Sequence, residues 1–175
     1  NGDVIFNEAV TWTSGNGLTV NAVGKVDINA AITSNGGDIS FIADDFEIGA
    51  DVDAGAGTIL FERTTSGIIG LGINSASAAS LSGAELGLLT AGALVVGDPA
   101  TANNNVVQVD VQNTFDVSAN ISGLVQLNAL STAGSFVTSS GSQTFRSVEY
   151  NANDGVTFIG GQTVATTAGD AIFNV

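Results

Sequence analysis

Apolar residues recur every 20 residues in the first half of the chain. Ile39 and Phe41 are followed 20 positions later by Ile59 and Phe61. A repeat this short cannot bury a core alone, so successive repeats must stack on one another. The same offset relates Val26, Ile28 and Ile32 to Phe46, Ile48 and Val52.

Within each repeat, short alternating apolar runs are separated by turn residues. The alternation places Ile39 and Phe41 on the inward face and Asp38 and Ser40 on the outward face. The chain has 23 glycines and one proline, which suits many short strands joined by turns. The sequence therefore predicts an all-β fold, a parallel β-helix (β-solenoid) of about 20 residues per coil. The expected core column is Ile39, Phe41, Phe46, Ile48, Val52, Ile59 and Phe61.

The pattern divides the chain into three stretches of one β-solenoid segment. Residues 1–73 read as regular coils, residues 74–105 as an irregular insertion or loop, and residues 106–175 as further coils. In the last stretch Val107, Val109 and Val111 alternate, which predicts inward positions for them. The whole segment, 1–175, is expected to hold seven to nine coils and to be a fragment or repeat of a longer chain.

One short helix is expected near residues 83–90. Ser82 and Glu85 have the spacing of a capping box, and Leu86 and Leu89 follow at helical spacing. Gly92 is placed to supply a left-handed C-terminal cap. The alternative for this stretch is a further irregular strand.

Charge and residue types exclude several function classes. Asp and Glu total 17 against 3 Lys and Arg, a net charge of −14, which opposes binding to nucleic acid or to an anionic membrane surface. Cysteine and histidine are absent, so thiolate catalysis, imidazole bases and Cys/His zinc sites are excluded. No apolar run reaches the roughly 20 residues needed to cross a bilayer.

Three stretches resemble the repeat region of filamentous haemagglutinin-like proteins, which are large secreted bacterial exoproteins and adhesins. The coil from Asn35 to Ala56 resembles the Gly-Asp-Ile … Val-x-Ala-Gly coils of that family, and Gly57 to Gly72 resembles the coil that follows. The third stretch joins Leu81–Leu86 to Ala91–Gly97. The likeness covers about residues 15–100.

This resemblance implies a setting and a role. It implies an extracellular location at the bacterial cell surface and a structural or adhesive role in a secreted fibre, but it indicates no ligand. Host or matrix glycans are a separate partner expectation. The chain is then a stiff rod and not an enzyme, with no cofactor. Two alternatives stay open: a self-assembling subunit of an extracellular filament or sheath, and a carbohydrate-active β-helix enzyme.

The densest acidic group is the one candidate metal site. Its carboxylates could bind Ca²⁺ weakly, although their spacing matches neither an EF-hand loop nor a calcium nonapeptide. A solvated acidic face is the other interpretation. A 20-residue register also predicts that Lys25 lies beside Asp45 and partly screens the negative charge of this acidic group. The acidic residues are Asp44, Asp45, Glu47, Asp51 and Asp53.

A glycine-rich run and two aromatic residues each have both a structural and a functional interpretation. The run from Gly67 to Gly72 lacks the lysine of a phosphate-binding loop, so close coil packing is expected there. Trp12 and Tyr150 could stack on sugars, but an aromatic residue on a strand is usually part of the core.

The two ends of the chain carry the same short motif. Residues 2–7 and 169–174 match in five of six positions, and neither end has a cap of charged residues. Exposed strand edges over an apolar core pair readily with further strands. We therefore expect both ends to be covered end to end, by neighbouring solenoid repeats or by another copy of the chain. The predicted assembly residues are Gly2, Asp3, Val4, Ile5, Phe6, Gly169, Asp170, Ile172, Phe173 and Val175.

Overall fold

The fold is all-β with parallel sheets. The computed structural model describes residues 2–73 and 79–175, with 51% of the chain in strands and 2% in helix. Every strand pair in the described residues is parallel. This confirms the predicted all-β class and the low helix content.

The strands are short, between two and six residues long, as expected from the frequent turn residues. In the first part they are β1 Val4–Phe6, β2 Val10–Thr11, β3 Leu18–Asn21, β4 Lys25–Ile28, β5 Ile32–Thr33, β6 Ile39–Ile42, β7 Asp45–Ile48, β8 Val52–Asp53, β9 Thr58–Glu62 and β10 Gly67–Leu71. After them come β11 Ala79–Leu81, helix α1 Gly83–Leu86, β12 Leu89–Thr90 and β13 Ala93–Val96. The last part contains β14 Val106–Val111, β15 Phe115–Asp116, β16 Leu124–Ala129, β17 Phe136–Ser140, β18 Gln143–Phe145, β19 Ser147–Ala152, β20 Gly155–Ile159, β21 Val164–Thr166 and β22 Ala171–Asn174.

One sheet runs through the whole described structure. Its strand order is β3-β6-β9-β13-β16-β19-β22, which follows the chain order, and we call each of these seven positions a level. After most levels the chain visits a second sheet and then a third before it returns. The second position is built from the sheets β1-β4-β7 and β11-β10-β14-β17-β20, and the third from β2-β5-β8-β12 and β15-β18-β21.

The 20-residue register is confirmed from β4 to β9, whereas nearer the start of the chain the spacing is 21 between Leu18 and Ile39 and 22 between Val4 and Val26. Ile39 pairs with Ile59, and Lys25 pairs with Asp45. Above this point the spacing changes, to 35 between Ile59 and Leu94 and then to 31 between Leu94 and Val125. A fixed repeat of 20 residues is therefore wrong for the later levels, because α1 and the loop at 97–105 lengthen the path between stacked strands.

The core lies between the sheets and follows the predicted inward rows. All seven residues of the expected column are buried, and Phe41 and Phe61 stack in adjacent levels with ring centroids 5.5 Å apart. Each buried aliphatic or aromatic side chain contributes roughly 1.5–3 kcal/mol to the free energy of folding. The register of inward and outward faces is thus the predicted one.

The helix is present but shorter than predicted. The capping box forms as expected, with the Ser82 side chain accepting from Glu85 N–H and the Glu85 side chain accepting from Ser82 N–H. The helix ends at Leu86, with Gly87 as a right-handed cap, so the predicted cap at Gly92 is wrong. A Cβ at Gly92 would collide with the backbone of Ala56, so close packing between levels explains this glycine.

Part of the stretch 74–105 takes regular places in the sheets. β12 pairs with β8 and β13 pairs with β9, so this stretch is less irregular than predicted. β11 pairs with β10 on the side opposite to β14. The chain therefore adds one extra strand to the second sheet before it reaches β12. Residues 74–78 lie outside the described residues.

Val107 does not take the inward position predicted for it. The pairing of β10 with β14 shifts between Gly67 and Ile68, whose partners are Val106 and Gln108. Val107 is the extra residue at this bulge, and Val106 is buried in its place. Val109 and Val111 are inward as predicted.

Candidate functional site

The predicted calcium ligands lie on three different elements. Asp44 precedes β7, Asp45 and Glu47 lie on β7, and Asp51 and Asp53 lie at β8. Among residues 2–73 and 79–175, no group of three or more His, Cys, Asp or Glu is arranged to hold a metal ion. Calcium binding stays a prediction.

Asp44 is held by hydrogen bonds from the next level. Its Oδ1 accepts from the Thr64 hydroxyl at 2.7 Å, from the Thr65 hydroxyl at 2.7 Å and from Thr65 N–H at 3.1 Å. Desolvation pushes the Asp44 pKa upward, but these bonds and the nearby Arg63 charge outweigh it and lower the pKa overall. Oδ1 of this carboxylate therefore fastens the turn at Thr64 and Thr65 in the next level.

Lys25 contacts the predicted acidic group, but through Glu47 and not through Asp45. Although Lys25 pairs with Asp45 in register, its ammonium group contacts Glu47 and lies 3.5 Å from Asp27. The hydrogen bond to Glu47 raises the pKa of Lys25, while burial raises the pKa of Asp45. The predicted side-chain pair of Lys25 with Asp45 is therefore replaced by a diagonal contact two residues further along β7.

A cavity lies at the outer side of the seven-stranded sheet, beneath the loop at 97–105. It has a volume of about 450 Å³ and polar walls. At its base Glu62 is 3% exposed, and its carboxylate accepts from Arg63 N–H at 2.7 Å, Asn105 N–H at 3.1 Å and Asp98 N–H. Burial raises the pKa of Glu62 and these hydrogen bonds partly offset the rise. The other lining residues include Asn21, Thr64, Ala102 and Asn103.

The charged groups of this cavity are occupied by structural contacts. The Arg63 guanidinium donates to the backbone carbonyls of Asp44, Thr65 and Ile68 at 3.1–3.2 Å. Glu62 closes the loop by accepting from three backbone N–H groups. A glycosidase needs one carboxylate free to donate a proton and another free to act as base or nucleophile. The Glu62 carboxylate instead fastens the loop to the sheet, and the Arg63 guanidinium fastens the turns at Asp44 and Thr65.

The aromatic and glycine-rich features have structural roles. Tyr150 is fully buried and stacks against Phe173 at 5.0 Å, so it is core and not a sugar platform. The Trp12 indole packs against the core and donates to Asn16 O at 2.8 Å. Gly70 lies in β10, where a Cβ would meet the Ile73 side chain at 2.5 Å, which agrees with the predicted close packing.

The predicted assembly residues lie at opposite edges of the stack. Gly2, Asp3 and β1 lie at the edge that we call the lower edge, formed by β1, β2 and β3. Gly169, Asp170 and β22 lie at the upper edge, formed by β20, β21 and β22. The two copies of the repeated motif fall in different sheets, since β1 pairs with β4 whereas β22 pairs with β19.

Both edges expose apolar side chains. At the upper edge Phe173 is 45% exposed and Phe158 is 44% exposed, with ring centroids 5.5 Å apart. At the lower edge Ile5 and Val10 are exposed, and Val23 lies nearby on the surface. Ile172 and Val175 are exposed too. Apolar surface of this kind is typical of a site that meets another protein surface.

A ladder of asparagine side chains was missed by the search for apolar repeats. Asn128, Asn151 and Asn174 occupy one row of the seven-stranded sheet. The Asn151 amide donates to Asn128 Oδ1 at 2.7 Å, and the Asn174 amide donates to Asn151 Oδ1 at 2.7 Å. Their constant spacing of 23 residues was the available signal in the sequence.

No model of a known protein family, no curated protein and no solved structure matches this chain. Within the described ranges, no helix is long and apolar enough to cross a membrane.

Proposed function

We propose that this chain is a β-solenoid segment that serves as a stiff structural and adhesive element of a bacterial extracellular surface fibre. The observation that carries the proposal is the seven-stranded parallel sheet, which follows chain order from β3 to β22. Each level adds a layer about 4.8 Å thick, so the seven levels span on the order of 30–35 Å.

The path of the chain supports a solenoid. The chain passes from the seven-stranded sheet to the second and third positions and back, as in β6, β7, β8 and β9. Because one buried cluster runs from Val20 to Ala152, load on one level is transmitted through a continuous core. Such a stack is suited to hold the adhesive part of a fibre away from the cell surface.

Surface charge and family resemblance support the setting. A net charge of −14 keeps a chain soluble and discourages contact with anionic nucleic acid and lipid. The likeness to filamentous haemagglutinin-like repeats favours an extracellular bacterial fibre. The structural use of Glu62 and Arg63 favours a mechanical role over catalysis.

Glycan contact is part of the adhesive proposal. The cavity beneath the loop at 97–105 offers amide and hydroxyl groups from Asn103 and Thr64, which suit the hydroxyls of a sugar. A glycan array that compares the parent chain with Asn103→Ala tests this part. Binding that is lost in the variant supports it, and a chain that binds no glycan contradicts it.

Force spectroscopy tests the mechanical role. A single chain is tethered near Gly2 and near Asn174 and is extended. Levels that peel one at a time release between 20 and 35 residues each, or roughly 65–125 Å of contour length at about 3.3–3.6 Å per residue. Smooth extension at low force, without separate steps, would contradict a load-bearing stack.

A further inference from the structure

The two edges of the stack have matching strand order. Read along the chain, the lower edge presents β1, β2 and β3, and the upper edge presents β20, β21 and β22. The last member of each set, β3 or β22, is an end strand of the seven-stranded sheet. A second copy placed above the first, in the same direction, therefore aligns β1 on β20, β2 on β21 and β3 on β22.

The backbone groups at the two edges are complementary. Leu18 N–H donates upward to Asp38 O, and Val148 N–H donates upward to Asp170 O, so inward residues bond to the level above. Because successive residues of a strand point their N–H and C=O groups to opposite sides, outward residues such as Thr19 bond downward. The upper edge thus leaves the backbone of Ala171 and Phe173 unpaired, and the lower edge leaves that of Thr19 and Asn21 unpaired.

Side chains match in the same register. Extending the pairing of β19 with β22 by one level sets Ala171 against Leu18 and Phe173 against Val20 of the second copy, so inward rows remain inward. The same placement brings β1 of the second copy onto β20, the strand that carries the exposed Phe158. This arrangement covers Phe173, whose ring is exposed at the upper edge of the single chain.

The asparagine ladder supplies a specific polar contact. Asn174 uses its amide to donate to Asn151 Oδ1 and to Glu149 Oε1, both at 2.7 Å, which leaves its Oδ1 as an open acceptor. In the aligned register, Asn174 faces Asn21 of the second copy. Asn21 is exposed, and its side chain makes no hydrogen bond to the described residues.

The direction of the ladder agrees with this contact. In each asparagine pair the residue of the later level donates to the earlier one, and the same holds for Asn29 and Asn7 at the lower edge, at 3.2 Å. Asn21 of the second copy would be the later member and therefore the donor.

We propose that this chain binds a second copy of itself head to tail, with β3 of one copy added to β22 of the other and the Asn21 amide donating to Asn174 Oδ1. The proposal rests on the stacked architecture of the proposed function and names its partner. Because this interface joins two different surfaces, repetition extends the stack into a filament.

Charge opposes the association at low ionic strength. Asp3 and Glu8 lie near the lower edge, and Glu149, Asp154 and Asp170 lie near the upper edge, where Arg146 is the opposing charge. Repulsion between such surfaces is screened as salt is added. We therefore expect association to strengthen with salt. The contact is made by apolar side chains and backbone groups, and salt screens the repulsion between the two negatively charged edges.

Sedimentation equilibrium of the 175-residue chain tests the proposal. In high salt the mean mass should rise with concentration above that of one chain. Asn21→Asp should weaken association about tenfold or more, because a carboxylate cannot donate to Asn174. Thr101→Asp adds the same charge on an exposed loop and should associate like the parent chain.

Mixing two variants tests the direction of assembly. Asn21→Asp weakens the lower edge, and Phe173→Lys places a charge at the upper edge, so each alone should be monomeric at a concentration where the parent chain just associates. Each keeps one working edge, so an equimolar mixture should form 1:1 dimers and nothing larger. Circular dichroism establishes that both variants keep the parent β-structure.

Three outcomes would overturn the inference: a parent chain that stays monomeric in high salt, an Asn21→Asp variant that associates as strongly as Thr101→Asp, or a mixture that forms no dimer. The proposed function is judged separately from stepwise unfolding of a single tethered chain. A chain that unfolds level by level but never associates would retain the function and refute the interface.

Discussion

Asn151 donates from its side-chain amide to Oδ1 of Asn128, 2.7 Å away, in the adjacent level. Asn128 is fully buried, and its own amide donates to Gly97 O at 2.7 Å. The Asn128 side chain therefore joins three levels, from the end of β13 to β19. Buried polar groups of this kind are costly when one partner is removed.

Asn128→Ala should destabilise the chain by about 1–3 kcal/mol, because it leaves Gly97 O and the Asn151 amide without this partner. Urea unfolding followed by circular dichroism measures the change. Asn174→Ala, at the exposed upper edge, is the matched control and should have a smaller effect at concentrations where the chain is monomeric. Equal unfolding midpoints for Asn128→Ala and the parent would show that the ladder contributes no stability.

Phe41→Ala tests the predicted core column. Phe41 is fully buried and contacts Phe61 in the next level. Truncation of a buried phenylalanine typically costs about 3–5 kcal/mol, so the variant should lose that much in the free energy of unfolding. Ser40→Ala, on the outward face of the same strand, should stay within about 0.5 kcal/mol of the parent. If the two variants unfold alike, the inward and outward faces are wrongly assigned.

Glu62→Gln tests how the loop at 97–105 is fastened. A glutamine keeps one acceptor oxygen and turns an N–H group toward one of the backbone donors, so a cost of about 1–3 kcal/mol is expected. Limited proteolysis should then cleave near residues 98–103 faster than in the parent chain. Asp98→Asn keeps the acceptor for Ala100 N–H and serves as the control. An unchanged cleavage rate in Glu62→Gln would contradict this role.

Tyr150 should make the chain sensitive to alkali. Burial raises its pKa from an ordinary value of 10.0 to about 12. Between these two values the unfolded chain loses the phenol proton and the folded chain keeps it. Stability that is fully present below pH 10 should therefore fall as the pH rises toward 12, by about 1.4 kcal/mol per pH unit at most.

Tyr150→Phe provides the comparison for this pH dependence. The chain has one tyrosine, so tyrosinate absorbance follows this residue alone. Urea unfolding at pH 9 and pH 11 should show a larger loss of stability in the parent than in Tyr150→Phe. An equal loss in both proteins, or a phenol that titrates near 10 in the folded chain, would contradict the burial of its hydroxyl.

The sequence predicts those parts of the fold that depend on repetition. The spacing of Ile39 and Ile59 predicts both the parallel pairing and the buried column, because stacked levels require like faces at a constant offset. The spacing fails above Phe61, where the inserted strands and loop change the path length without changing the stacking. Val107 was misplaced because a bulge adds one residue to a strand and reverses its alternation.

Side-chain partners were harder to predict than strand partners. The register correctly sets Lys25 beside Asp45, but the long flexible side chain of Lys25 reaches Glu47 instead. Glu62 follows an inward residue and reads as outward, yet the loop at 97–105 folds over it and buries it. Contacts of this kind depend on loops whose course no local pattern describes.

Disulfide formation between engineered cysteines tests the continuous parallel stack most directly, since the chain has no native cysteine. Paired residues in adjacent levels lie about 4.8 Å apart, which a disulfide can span, whereas a shift of two residues moves them beyond about 7 Å. The account predicts that Ser40→Cys with Leu60→Cys and Gln126→Cys with Glu149→Cys oxidise completely, as their registers require. Ser40→Cys with Thr58→Cys and Gln126→Cys with Ser147→Cys should stay reduced. Cross-links in the shifted pairs, or none in the matched pairs, would contradict the stack.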